Sequence, residues 1–485
     1  MNKPYPIIGL EVHVQLKTKT KAFCRCENKY GGIPNSRVCP VCMGMPGMLP
    51  VLNESVLNDA IVAGLAFGSQ IASITKFDRK NYSYPDLPKG YQISQYDKPI
   101  CSGGFIEIED DNGTLKHINI TRIHIEEDAG KLIHLEDGTN NSYVDYNRCG
   151  APLLETVSEP DIRSSDEAVK YLKSLKEIFE YIEISDCNME EGSLRCDANI
   201  SMMIPLSDGT EINTPISEVK NINSFSNVKK AIEYEIIRQV EEYHKTKEVN
   251  NGKNKITRGF DDSKGITVFQ RSKEGESDYR YFPEPDLPHL EITEELINKS
   301  KLRLPELPQN KRNRLENQYG ITQYDATTLS ADKKLSDYFE KCCKYTTNYK
   351  KVANFILTDI CSILNTENIS IIDFSVSAED IAQLVNLLSD GTISSWIAKS
   401  VFEKMRLTNK NPLSIVEEES LLQLNNDDEL DTIVIKVLSE NQKSVEDYKN
   451  GKDNALKYLM GQVMKQSKGK ANPVKTTEML IERLK

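Results

Sequence analysis

Of the 485 residues, no apolar run approaches the roughly 20 needed for a helix to cross a bilayer, so no membrane-spanning helix is expected. The start, Met1-Asn2-Lys3-Pro4-Tyr5-Pro6, has neither a secretory apolar core nor an arginine-rich presequence, and a cytoplasmic protein is expected. Positive charge is in deficit. With 61 Lys+Arg against 73 Asp+Glu the net charge is −12. That disfavours a sequence-specific DNA binder but allows nucleic-acid contact through a local basic patch. The phosphate loop G-x-x-x-x-G-K-[S/T], a G-x-G-x-x-G after a strand and the G-x-S-x-G elbow are all missing. No internal repeat or low-complexity tract occurs. The eleven cysteines are odd in number, which argues against a disulfide framework.

What is present falls into three zones. Residues 1–292 read as β-rich. Ile118-Asn119-Ile120-Thr121-Arg122-Ile123-His124-Ile125 alternates like a half-buried strand, and Asp110-Asp111-Asn112-Gly113 and Glu136-Asp137-Gly138 are turn chemistry. Helices are expected over about Asp166–Tyr181, capped by Ser164 or Ser165, and over about Phe225–Tyr243. The proline cluster Tyr281 to Pro288 ends this zone. Residues 293–411 turn helical: Ile381, Leu384, Val385 and Leu388 recur at i, i+3, i+4 and i+7 behind Ser377. Gly391 is expected to stop that helix and Thr392 to cap the next. Residues 412–485 are helical again. The expected class is α+β: a domain with an antiparallel sheet, a helical domain and a small helical tail.

Four cysteines lie within nineteen positions: Cys24-Arg25-Cys26, then Cys39-Pro40-Val41-Cys42. Two close thiolate pairs on turns can close a tetrahedron around Zn²⁺, and a saturated four-cysteine site is structural. Gly31-Gly32 and Pro34 would let the loop fold back. A second constellation is acidic and scattered. Glu11 and His13 share a strand face, Glu126, Glu127 and Asp128 follow a strand, and Glu155 lies further on. Carboxylates with one imidazole suit Mg²⁺ at phosphate oxygens, but acids at strand ends are also ordinary surface. A third stretch, Phe77 to Gln92, carries Arg79, Lys80 and Lys89 among tyrosines and prolines. It could hold a nucleotide or an RNA end, or simply pack as a surface loop. From 444 to 485 the chain has nine Lys/Arg and five Asp/Glu, a local net of +4. There Lys457, Lys465 and Lys468 flank the apolar stripe Leu456, Met460, Val463 and Met464. That face is either merely solvated or a contact surface for phosphates.

Several of these segments together resemble the B subunit of the tRNA-dependent amidotransferases. They are Ile8 to His13, residues 77–97, Glu126-Glu127-Asp128-Ala129-Gly130, Val144 to Pro160, Met189 to Asn199, Asp278 to Asp286 and the run from Ser444 to Pro473. The resemblance spans the whole chain; the four-cysteine motif occurs in only some members of the family. It implies a β-rich cradle that uses ATP and Mg²⁺ to phosphorylate the side-chain carboxylate of Glu-tRNA(Gln) or Asp-tRNA(Asn). Ammonia, released from glutamine by an amidase A subunit, then displaces phosphate, and a small C subunit completes a heterotrimer. By motif, Glu11, His13, Glu126, Glu127 and Glu155 become metal-site candidates, and Glu127, Lys80 and Lys89 catalytic ones. Arg79, Lys80 and Lys89 are candidates for nucleotide contact or the ammonia path, and Lys457, Lys465 and Lys468 for tRNA. A related archaeal paralogue carries a large insertion between cradle and helical domain, for which Pro288 leaves no room. Two other classes compete: a zinc-stabilised RNA-binding scaffold, and a stand-alone glutamine amidase. The latter is disfavoured by the absence of a Ser-Ser-Lys signature and of a distinctive nucleophilic cysteine.

Overall fold

The computed structural model describes residues 3–134, 141–272, 279–421, 427–452, 454–467 and 469–484. The Glu136-Asp137-Gly138 turn, Asp278 and Lys468 lie outside these residues. Two compact units divide at Leu307/Pro308.

The first unit is built on one sheet, from β1 (Tyr5–Gln15), β4 (Leu115–Glu127), β5 (Pro152–Ser158), β6 (Leu194–Pro205), β7 (Ser217–Ile222), β8 (Ile256–Asp261) and β9 (Ile266–Ser272). A separate hairpin joins β2 (Asp78–Asn81) to β3 (Tyr91–Ser94). The sheet order is β9-β8-β7-β6-β1-β5-β4, continued by short edge strands. Its pairs are antiparallel except β7 with β8. Period-2 alternation sorts the residues of β1. Ile8, Leu10, Val12 and Val14 are fully buried on one face, and burial of each such side chain stabilises by about 1.5–3 kcal/mol. Glu11 and His13 take the other face.

Three helices build the core on this unit: α1 (Glu54–Ala66), α2 (Ser165–Tyr181) and α3 (Phe225–Thr246). α2 and α3 pack on each other, α3 lies against β6 and α1 against β4. Ser164 caps α2 by accepting from the Glu167 amide at 3.1 Å, and Ser224 caps α3 in the same way. The proline cluster yields only the short edge strand Phe282–Pro283, paired with β2.

The second unit is helical. Ser377 caps the helix Ala378–Ser389, whose Ile381, Leu384 and Val385 are buried. The next helix, Ser395–Thr408, is capped by Ser394 and not by Thr392. The amides of Thr392 and Ile393 both turn back to the Leu387 carbonyl and close the preceding helix. Ser394 is then the first hydroxyl free to accept from the new one, at the Ile397 amide. A separate small core gathers Leu430, Val434, Val437, Leu459, Val463, Leu480 and Leu484 from the last helices. In the helix Asn454–Gln466, Leu459 and Val463 are buried, with Leu456, Met460 and Met464 packed beside them.

Candidate functional site

The register of the sheet sets the site. His13 stands opposite Arg195 on β6 and Glu155 on β5, and Glu155 stands opposite His124 on β4. Arg195, His13, Glu155 and His124 therefore form one row across four strands. In the next row Glu11 faces Asp197. Glu126, two residues beyond His124, shares that face.

The row converges on three ligand atoms. His13 Nε2 lies 3.2 Å from Glu126 Oε1 and 3.3 Å from Glu155 Oε2, and His124 Nε2 reaches Glu155 at 3.2 Å. Glu126 and Glu155 are buried, and Ser94 donates to Glu126 at 3.4 Å. Burial works to lower the His13 pKa, but Glu155 and Glu126 outweigh it and raise it to about 10. Against the same burial, Glu126 is held below its ordinary range by His13 and Glu155 well below it by the two histidines. This cluster demands a positive charge, which the His13 proton supplies. Two carboxylates and an imidazole that demand a cation fit a divalent metal, whose binding would displace that proton.

Glu11 belongs to a neighbouring group with Asp197 and Glu218. Lys220 already sits there, ion-paired to Asp197 and 3.3 Å from Glu218, while Asn199 donates to Glu11 at 2.7 Å.

A cleft of about 430 Å³ opens over the His13 cluster. Lys80, Arg195, Lys220 and Arg271 bring positive charge to its lining, and Tyr82, Tyr84 and Tyr279 bring rings. Lys80 lies 5.1 Å from the centre of the Tyr279 ring. Burial works against its charge, yet Glu126 and Glu155 hold the ammonium above its ordinary range. Asp128 fixes Arg195 at 2.8 Å and Arg148 at 3.4 Å. Arg195, Asp197 and Lys220 escaped the sequence reading of the site. The alternation of Arg195, Asp197 and Asn199 with buried Leu194, Cys196, Ala198 and Ile200 could have placed them on one face, but not beside β1.

Other expected residues lie apart from the cleft. Arg79, adjacent to Lys80 in β2, alternates away and forms a bidentate pair with buried Glu284 at 2.7 and 2.8 Å. Glu127 points to the opposite side from Glu126. There it meets Lys89 in a buried ion pair and accepts from the Ile93 amide at 2.9 Å. Lys89 and Glu127 line a small cavity shared with Cys24, Cys42 and Gly44. Lys457 and Lys465 are exposed on the helix Asn454–Gln466.

Cys24, Cys26, Cys39 and Cys42 bring their sulfurs within 4.8 Å of one another. Gly31 and Gly32 both take left-handed backbone, and a Cβ on Gly32 would meet the Arg37 guanidinium at 2.9 Å. The Cys39 amide lies 3.1 Å from the Cys42 sulfur, and fully buried Lys21 lies 3.8 Å from it. The Cys24 hydrogen bond, with lesser help from that amide and Lys21, pulls the Cys42 thiol down to about 5 despite burial. Four thiols, one of them poised as thiolate, fit a tetrahedral structural metal.

Comparison with known proteins finds a family match in each of the two units. Residues 6–298 match the family described as the GatB/GatE catalytic domain, and residues 337–484 match the GatB domain family. The chain is 53% identical over 479 residues to the B subunit of the aspartyl/glutamyl-tRNA(Asn/Gln) amidotransferase of Borreliella burgdorferi (strain ZS7), covering 99% of this chain and 98% of that one. It is 51% identical over 480 residues to the protein of the same name from Borrelia hermsii, and 50% identical to that of Borrelia turicatae, covering 99% of each chain.

Proposed function

Because the chain belongs to the B-subunit family of aspartyl/glutamyl-tRNA(Asn/Gln) amidotransferases, a family of tRNA-dependent ligase subunits, we propose that its cleft activates the misacylated tRNA with ATP. The carboxylate of Glu-tRNA(Gln) or Asp-tRNA(Asn) takes the γ-phosphoryl group, and ADP leaves. Ammonia then attacks the resulting acyl phosphate, and phosphate leaves as the amide forms. A free carboxylate is a poor electrophile, and phosphorylation gives it a leaving group.

The observation that carries this reading is the His13–Glu126–Glu155 convergence on the wall of a cleft also lined by Lys80, Arg195 and Lys220. His13, Glu126 and Glu155, with Glu11 beside them, would hold Mg²⁺, which when bound supplies positive charge to phosphate oxygens. Lys80, held protonated beside the two glutamates, binds the transferring phosphoryl oxygens. Lys220 and Arg195 are already oriented by Asp197 and Asp128 and add further donors. Arg79 serves the nucleotide indirectly, since its pair with Glu284 fixes the strand that carries Lys80. Lys89 and Glu127, on the far side of β4, line the approach for ammonia from an A subunit, with a C subunit completing a cytoplasmic heterotrimer. The four cysteines hold structural Zn²⁺. The cradle ends near residue 292, a helical domain runs to 411, and the tail from 412 binds tRNA through Lys457, Lys465 and Lys468.

Glu126→Gln keeps the side-chain shape and removes its charge. In the assembled complex it should lower ATP cleavage by about 10² to 10³. Amide formation should fail even with ammonia in place of glutamine, while glutamine hydrolysis by the partner persists. Full rescue by ammonia would move Glu126 from phosphoryl transfer to ammonia delivery.

A further inference from the structure

Trp396 is the chain's one tryptophan, and it stands 62% exposed at the start of the helix Ser395–Thr408. It is seated against the tail. Gly469 has left-handed backbone, and a Cβ built there would lie 2.2 Å from Trp396 Cε3 and 2.8 Å from Cζ3. Only a glycine lets the indole approach so closely. Ser394, buried beside it, donates to the Gly469 carbonyl at 2.6 Å. The turn that carries Gly469 is held by the Gly469 amide to the Met464 carbonyl at 2.7 Å and by the Ala471 amide to the Ser467 hydroxyl at 3.2 Å. The indole thus stands on one helix against the glycine turn of the tail and still presents most of its surface to solvent.

The electrostatic setting says what that surface would meet. Between Asp453 and Glu478 the sequence has five lysines and no acid. Lys465 and Lys470 bracket the glycine turn, and neither forms an ion pair among the described residues. One turn after Trp396 on its own helix, Lys399 is already paired with Asp359 at 3.6 Å, so the unneutralised charge lies on the tail side. An immobilised aromatic beside unneutralised lysines, in a chain of net charge −12, suits a polyanion with stackable rings. An apolar protein surface would leave the lysines unused.

We propose that Trp396 is a stacking platform for an unpaired base of the bound tRNA, with Lys465 and Lys470 taking the adjacent phosphates. The proposal rests on the reading of the tail as a tRNA-binding unit and adds the residue that recognises a base instead of the backbone.

The native tryptophan is its own probe. The full chain is titrated with a transcript of tRNA(Gln) or tRNA(Asn), and its fluorescence should be quenched at saturation. Trp396→Ala should weaken tRNA binding about tenfold without changing the slope of log Kd against log salt, and Trp396→Phe should recover most of the loss. The double variant Lys465→Ala/Lys470→Ala should instead flatten that slope by about 1 to 2. Unquenched Trp396 at saturating tRNA, or an unchanged Kd in Trp396→Ala, overturns the platform. If the lysine variant still flattens the slope, the tail reading survives it; if neither variant has an effect, both fall. A Trp396→Ala chain that binds tRNA normally but assembles poorly with its partner subunits makes the indole a protein contact and also overturns the proposal.

Discussion

The two ligand clusters of the first unit lie on opposite sides of one strand and are built on opposite plans. The four cysteines come from a single loop, are held by local turns and use only thiol ligands, so the set closes on itself. The His13 cluster comes from three strands far apart in sequence, has three ligands and opens to a cleft. A closed set spends its metal on fold stability, whereas an open one leaves positions for substrate oxygens. Loss of the first should therefore appear in melting, and loss of the second in rate.

The largest effect expected from this contrast is at Glu155, which meets both His13 and His124. Glu155→Gln should lower single-turnover ATP cleavage by about 10² to 10³, or roughly 3–4 kcal/mol, at nearly unchanged melting temperature. A large fall in melting temperature with normal turnover would erase the distinction. Next comes Cys39→Ser, which should cost about 3 kcal/mol of stability and bind less zinc than the roughly one equivalent that elemental analysis of the unaltered protein should find. Its folded fraction should cleave ATP at close to the normal rate. Brief chelation sharpens the same point: activity should vanish and return with Mg²⁺ while zinc stays bound. Lys220→Met removes a cation from the cleft but no ligand from either cluster, so the KM for ATP should rise about tenfold, roughly 1.4 kcal/mol. The smallest effect is at Lys21, buried beside Cys42 and donating to the Arg37 carbonyl at 2.8 Å. Lys21→Met should lower stability by about 1 kcal/mol, read by denaturant melts, with catalysis untouched.

The same contrast explains what the sequence disclosed. Cys24, Cys26, Cys39 and Cys42 are near neighbours in the chain, so spacing alone brings them together. Alternation likewise puts Glu11 and His13 on one face of β1. It does not say that Glu155 stands opposite His13, because antiparallel register depends on turns and packing across more than a hundred residues. Nor does it say that Arg195, Asp197 and Lys220 belong to the same cleft. For Arg79, charge and position looked apt, but the buried carboxylate of Glu284 lies more than two hundred residues on and claims the guanidinium. Helices read more fully, since caps such as Ser164 and Ser377 are local. Thr392 misled because the closing turn of the preceding helix runs on through Ile393, so the next helix starts only at Ser395, which side-chain type does not reveal.

The adjacent pair Glu126 and Glu127 has a consequence for how this gene can change. One carboxylate belongs to the cleft and the next to the side of the cysteine loop, and only the pleat of β4 keeps them apart. A substitution near them can be graded by size or charge. A single-codon insertion or deletion between Ile123 and Glu126 cannot, for past the β-bulge at Thr121 the pairing with β5 is regular and such a change would exchange the two acids and invert every partner after them. Beyond the bulge the inherited quantity is parity. Drift should therefore alter its letters freely on the exposed positions while leaving the length from Arg122 to Glu127 as it stands, with indels confined to the bulge at Thr121 and the turns at either end.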